Sequence, residues 1–211
     1  ISWQSATYII GFINLIIACL FYLLLPKSQH FQPYPFRFSR FKAAFEQNLK
    51  DRKLRILFAE GFILMGCLVT VFNYISYHLL EAPFQLSQSW IGLISIAYLA
   101  GIYSSSKAAQ WSFKYGRAKV LPLMLLMMMA GLLITLIPAL WAILLGLIIF
   151  AFAFFAAHST ASSWVSVQAI QYRAVAASLY LFCYYIGSSL LGSSGGLIWE
   201  NFGWVGINLS V

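Results

Sequence analysis

Every lysine and arginine of this 211-residue sequence, 13 in all, falls on one side of a single membrane-threading pattern. When the long apolar runs are marked and sides alternated at each, Lys27 through Arg55, then Lys107, Lys114, Arg117 and Lys119, and finally Arg173 share one face. The connections on the other face carry only Glu81 and Glu200. Positive charge is retained on the cytoplasmic side of a bilayer, so the asymmetry predicts both class and orientation. The expected fold class is all-α, a polytopic membrane helix bundle.

Composition agrees. The chain is 62% hydrophobic and 9% charged, against roughly a quarter charged in soluble domains, so much of its surface must face lipid. The net charge of +8 sits in loops beside apolar spans, which fits topology and contact with anionic lipid rather than a folded basic face for nucleic acid. No nucleic-acid partner is expected. Cys19, Cys67 and Cys183 all lie inside apolar runs without metal-ligand spacing, which suits small packing residues. No cofactor or metal is expected. Hydrolase, metalloprotease and phosphate-loop signatures are lacking.

Spans are predicted at about residues 7–25, 54–80, 90–105, 120–137, 141–164 and 174–198, with a seventh starting near Trp204 and stopping at Val211. Eight residues fall far short of the roughly twenty that a crossing needs. The first residue is Ile1, and both ends are expected to be cut from a larger protein. Between the first two spans, residues 26–55 form a polar connection. In it Phe38, Phe41, Phe45 and Leu49 recur at helical spacing opposite Arg40, Lys42, Gln47 and Lys50, the pattern of an amphipathic helix on headgroups. Trp3, Trp90, Trp141, Trp199 and Trp204 are placed at outer span ends and Trp111 and Trp164 at inner ends, where indole prefers to lie. Ser188, Gly192 and Gly196, flanked by Gly187 and Gly195, form a small-residue row that lets a neighbouring helix come close.

After the third span the sequence runs from Gly101 to Lys119 and is read here as a loop. It resembles the cytoplasmic signature of the major facilitator superfamily, an acid-base-x-Gly-base-base turn. Lys114, Gly116, Arg117 and Lys119 match its basic and glycine positions, while Phe113 stands at the acidic one, as in the weaker copy of the C-terminal half. The stretches 58–62, 154–159 and 177–182 are similar to the bacterial inner-membrane branch of that superfamily. The resemblance implies residues 1–25 as helix six, 26–55 as the cytoplasmic central loop, and 56–211 as the C-terminal bundle, truncated in helix twelve. It implies a secondary transporter working by alternating access, a proton-linked antiporter or exporter of a small molecule in the bacterial inner membrane. A missing N-terminal six-helix half would be its partner, alongside the lipid bilayer and the substrate. The second and fifth spans would line the cavity.

Polar groups in the bilayer core are costly and face protein or water. Asn73 and Tyr77, on one face of the second span with Gly66 and Thr70, are candidates to line a substrate cavity, or to bond a neighbouring helix. Tyr180 and Tyr184 on the sixth span, beside Tyr185, offer hydroxyls and ring faces to an amphipathic or cationic ligand, or fill space between helices. Glu60 is a candidate proton-coupling carboxylate, or an interfacial partner of Arg55 or Lys53. His158 lies well inside the fifth span beside Ser159, Thr160, Ser162 and Ser163; it can relay a proton or be satisfied by a neighbouring hydroxyl. His78 is expected at the outer interface. No lysine is expected inside a span. An oligomeric channel or scaffold is the alternative function, and an intramembrane enzyme using His158 and Ser159 a third.

Overall fold

The computed structural model describes residues 3–26 and 37–211; residues 27–36, the early part of the expected polar connection, lie outside them. The chain divides into two units, Ile1–Arg37 and Phe38–Val211. All regular structure among the described residues is helical.

In the smaller unit, α1 (Trp3–Leu24) buries none of its residues. Its polar side chains turn back on their own backbone. Thr7 donates to the Trp3 carbonyl and Asn14 to that of Ile10, both at 2.9 Å. A helix apolar on every face, with its hydroxyl and amide satisfied internally, suits a hydrocarbon surround.

The larger unit begins with α2 (Phe38–Lys50) and α3 (Arg52–Leu80). Asp51 sits between them as the N-cap of α3, accepting from the Lys53 N–H at 2.7 Å and the Leu54 N–H at 3.2 Å. The expected amphipathic helix is α2. It turns Ala44 and Asn48 inward and leaves Phe38, Phe41, Phe45 and Leu49 exposed. Next come α4 (Gln88–Leu93), a 3-10 turn at Ile94–Ala97, α5 (Tyr98–Tyr115), α6 (Arg117–Ile134), α7 (Leu140–Gln168) and α8 (Arg173–Ser210). Among the described residues α1, α3, α6, α7 and α8 are long and apolar enough to cross a membrane.

Packing follows residue size. The α7 sequence is apolar all round, and its buried face runs from Ala142 to Val165. It stands between α5 and α6 on one side and the α3–α8 pair on the other. The α3–α8 contact is the most extensive between any two helices. It is close because glycine permits it. A Cβ on Gly187 would strike the carbonyl of Phe62, and one on Gly61 would sit 2.6 Å from the Tyr180 ring. The line of contact therefore runs through Gly187, Leu191 and Gly195, which meet Phe62, Gly66 and Thr70; Gly192 joins it against Val69, and Gly196 lies at its edge.

Within residues 38–211 the cations gather at one end of the bundle, as the alternation requires. Gln168, at the end of α7, donates to Asp51 at the start of α3 at 2.8 Å. Arg117, at the start of α6, donates to Ser163 near the end of α7 at 3.4 Å. The opposite end is tied by Trp204, whose indole N–H donates to the Thr135 carbonyl at 3.2 Å.

Three expectations need correcting. The stretch from Gly101 to Lys119 is not a loop: α5 runs on to Tyr115 and Gly116 alone separates it from α6. Its serines do not break the helix because Ser104, Ser105 and Ser106 donate back to carbonyls three or four residues earlier. Lys107 consequently lies inside a helix, with its ammonium 3.4 Å from Gln110, directed towards the cation-bearing end as a snorkelling lysine is. The expected break between the sixth and seventh spans falls at Gly203, where φ is +57° and two helices of α8 meet across a kink. Trp204, expected at an interface, is buried to 5% exposure, since that break turns it into the bundle beneath Thr135.

Two outcomes are expected. Gly187→Val drives a side chain into the α3 backbone and lowers stability by about 3 kcal/mol, the upper range for overpacking, whereas Gly92→Ala, with open space around it, is neutral or stabilising; thermal melting in detergent separates them. The hydrogen bond from Gln168 foremost, then the Leu54 and Lys53 amides and the Lys53 charge, hold the Asp51 carboxyl below its usual 3.8 against an opposing contribution from burial. A depressed carboxyl stabilises the fold above its unfolded pKa and ceases to do so as pH falls through the folded value. Asp51→Ala should therefore cost about 1 kcal/mol at neutral pH, with the difference closing only below about pH 4.

Candidate functional site

Three helices bring four of the six nominated polar residues together. Glu60 on α3 lies eight residues past Arg52, about 12 Å along the axis. Tyr180 lies seven residues into α8, about 10 Å from the same end, and His158 ten residues before the end of α7, about 15 Å. These depths agree because the three helices alternate in direction.

At their meeting point Tyr180 lies over Gly61, filling the space that a Cβ would occupy. It is 1% exposed and heads the fully buried side chains by volume. Its hydroxyl and Nδ1 of His158 are 3.0 Å apart, a hydrogen bond whose direction follows the imidazole tautomer. The imidazole is packed among aromatic rings. Phe154, one turn earlier on α7, stacks on it at 6.2 Å and 6°, and Tyr184 approaches to 4.6 Å between centroids. Both carboxylate oxygens of Glu60 are buried with no hydrogen-bond partner among the described residues, and the carboxylate is within electrostatic reach of the Tyr180 phenol. Tyr180 of α8 thus joins α3, at Gly61 next to Glu60, to the imidazole of α7, so that carboxyl, phenol and imidazole come from the three helices of one junction. Each can hold a proton, and an unpaired charge there would be expensive.

Glu60 does not pair with Arg55 or Lys53: neither carboxylate oxygen has a partner among the described residues. Two turns into α3, Glu60 faces the seam with α8 and is too deep for those side chains. Ser159 does not pair with His158 either. Its hydroxyl donates to the Ser105 carbonyl at 3.3 Å, on the α5 side of α7, while His158 points to α8. A serine–histidine dyad is therefore not assembled.

Asn73 and Tyr77 lie apart from this cluster. Gly66 and Thr70, on the same face of α3, are covered by α8, whereas Asn73 and Tyr77 are exposed. Asn73 is thirteen residues beyond Glu60, about 20 Å. Tyr77 packs on Tyr74 and Trp199 at 6.1 and 6.0 Å. This second, aromatic group borders a cavity of about 590 Å³ whose walls include His78, Glu81 and Glu200. His78 is half-buried there, stacked on Trp204 at 5.4 Å and 9°.

At the cation-bearing end, Gly116 adopts φ +86°, a backbone conformation that favours glycine, and turns the chain from α5 into α6 in a single residue. Arg117 is tied to Ser163, Lys114 lies 5.0 Å from the centre of the Tyr115 ring, and Lys119 is exposed. Phe113 is 96% exposed. Sequence reasoning missed Phe154 and the Asp51–Gln168 bond. The i, i+4 spacing of Phe154 and His158 signals the first; nothing local signals the second, which joins residues 117 positions apart.

Residues 1–192 match the family described as Major Facilitator Superfamily. Among relatives, an uncharacterized transporter of Buchnera aphidicola from Schizaphis graminum is 48% identical over 98% of this chain and 50% of its own length. The inner membrane transport protein YnfM of Escherichia coli is 46% identical over 98% of this chain and 49% of its own. The uncharacterized MFS-type transporter YybF of Bacillus subtilis is 41% identical over 98% and 51%. The chain spans about half the length of these relatives. With a family match over most of its residues and helices arranged as a membrane bundle, the chain belongs to the Major Facilitator Superfamily.

Proposed function

We propose that this chain is part of a secondary active transporter of the bacterial inner membrane, a proton-linked antiporter or exporter of a small molecule. Residues 26–55 form its cytoplasmic central connection, and a second six-helix bundle, corresponding to the other half of the relatives' length, completes it. Alternating access of the two bundles about a central site moves the cargo, with proton and cargo differing in affinity for the two states.

One observation carries the proton assignment. Glu60 presents a buried carboxyl with no cation beside it, at a junction of three helices, next to the hydrogen-bonded Tyr180 and His158. A structural carboxylate at that depth would have a partner, because breaking or omitting a buried pair is costly. One that must gain and lose a proton cannot be locked to an arginine. His158 is the relay, with Tyr180 setting the orientation of its ring. Tyr184, with the buried Tyr180 behind it, backs the cargo site on the cation-bearing half, and the exposed Asn73 and Tyr77 face it on the opposite half. A tyrosine hydroxyl bond between membrane helices is worth only about 0.6 kcal/mol, so its placement serves position more than stability.

Everted vesicles containing the full-length protein and an internal pH dye test this. A panel of sugars, amino acids and amphipathic cations is added, and any compound that drives proton movement is taken as cargo. Glu60→Gln should abolish that movement while leaving proton-independent exchange of the same compound, and His158→Gln should slow it. Wild-type proton coupling in Glu60→Gln would contradict the assignment.

A further inference from the structure

Between α5, α6 and α7 a groove of about 570 Å³ opens on the side of the bundle away from the Glu60 cluster. Leu123, Met124 and Met127 of α6 and Phe152 of α7 wall it with apolar surface. Trp111 closes one flank, its ring 5.9 Å from that of Phe152. From Lys119 to Met127 is eight residues, about 12 Å of helix, so the groove runs from the cation-bearing end into the apolar depth of the bilayer.

Its polar groups are all at one end. Lys119 is the charged residue in its lining, is exposed, and forms no ion pair among the described residues. Lys114 sits over the Tyr115 ring beside it. The Trp111 indole N–H and the Tyr115 hydroxyl, also at this mouth, have no protein acceptor among the described residues. No carboxylate lines the groove, and Lys119 pairs with none among the described residues. Arg117 is directed away, to Ser163.

An apolar trench with cations and hydrogen-bond donors at one end only is complementary to an alkyl chain ending in an anionic, oxygen-rich head. We propose that the groove bounded by Trp111, Lys119, Met127 and Phe152 is a binding site for an anionic phospholipid of the cytoplasmic leaflet. One acyl chain lies along Leu123 and Met127, and the head group meets Lys119, with Trp111, Tyr115 and Lys114 around it. A zwitterionic choline head would bring its own quaternary ammonium against these cations. A basic residue near an anionic membrane surface corresponds to a preference of about fivefold, and the groove adds position to that charge.

The test uses the full chain purified in detergent, with dioleoyl phosphatidylglycerol or dioleoyl phosphatidylcholine added and retained lipid counted by native mass spectrometry. Phosphatidylglycerol retention should exceed phosphatidylcholine retention, and should fall about fivefold in Lys119→Gln. Leu123→Trp, which fills the trench, should give a similar loss, while Arg173→Gln, the same charge change at an exposed position outside the groove, should not. Circular dichroism checks folding, and Lys119→Gln, at an exposed position, carries the test alone should Leu123→Trp disturb α6. Equal retention of the two lipids would overturn the proposal. So would equal loss in Lys119→Gln and Arg173→Gln, which would show diffuse attraction, or full retention in Lys119→Gln.

Discussion

A hydrocarbon layer about 30 Å thick admits almost no unpaired charge and no unpaired backbone, and the larger unit is organised by that constraint. Lysines and arginines begin α3, end α5, begin α6 and begin α8, so alternating helix direction brings them to one end. Many polar side chains that remain in the helices are satisfied locally, as Ser104 to Ser106 are on the preceding turn, or across helices, as Ser112 and Thr160 are at 3.4 Å, while the buried Thr70 hydroxyl and Asn48 amide, both uncharged, have no partner among the described residues. Glu60 is the ionisable group among these unpartnered side chains. Its buried, unpartnered carboxyl is the feature that calls for a functional explanation.

The glycine seam makes that feature possible. Hydrophobic exclusion does little to bring helices together in lipid, so close backbone approach and dispersion must do it. Gly187 lets α8 meet the α3 backbone at Phe62, and Gly61 accepts the Tyr180 ring. The same approach places Tyr180 between the Glu60 side of α3 and the imidazole of α7. Packing and the proposed proton chemistry therefore share one surface. A small-residue row that moves two helices together also fixes the distances within the polar cluster.

Much of the fold was legible because the signals were long. Apolar runs of twenty residues and one-sided cations located α3, α6, α7 and α8 and their directions. The α5 terminus was misjudged because serine, lysine and glutamine between Ser104 and Gln110 resemble a loop in composition, while the helix can satisfy their hydroxyls internally. Glu60, His158, Tyr180 and Tyr184 were each nominated as intramembrane polar residues, but their grouping was not legible. It depends on helix rotations set by Gly61 and Gly187, which are tertiary facts. Asn73 and Tyr77 were nominated from one helical face of α3 shared with Gly66 and Thr70, and periodicity does not say where α8 stops covering that face. The lipid groove left no linear motif, since Trp111, Lys119 and Phe152 come from three helices.

The account rests on a chain that weaves through the bilayer with its cations on the inner side. The most direct measurement places single cysteines at Glu81→Cys and Lys114→Cys in a background where Cys19, Cys67 and Cys183 are replaced by alanine, and labels intact cells with a membrane-impermeant maleimide after outer-membrane permeabilisation. Position 81 should label in intact cells, and position 114 only once the inner membrane is opened. Labelling of both from the same side would contradict the weave, and with it the orientation of every site described above.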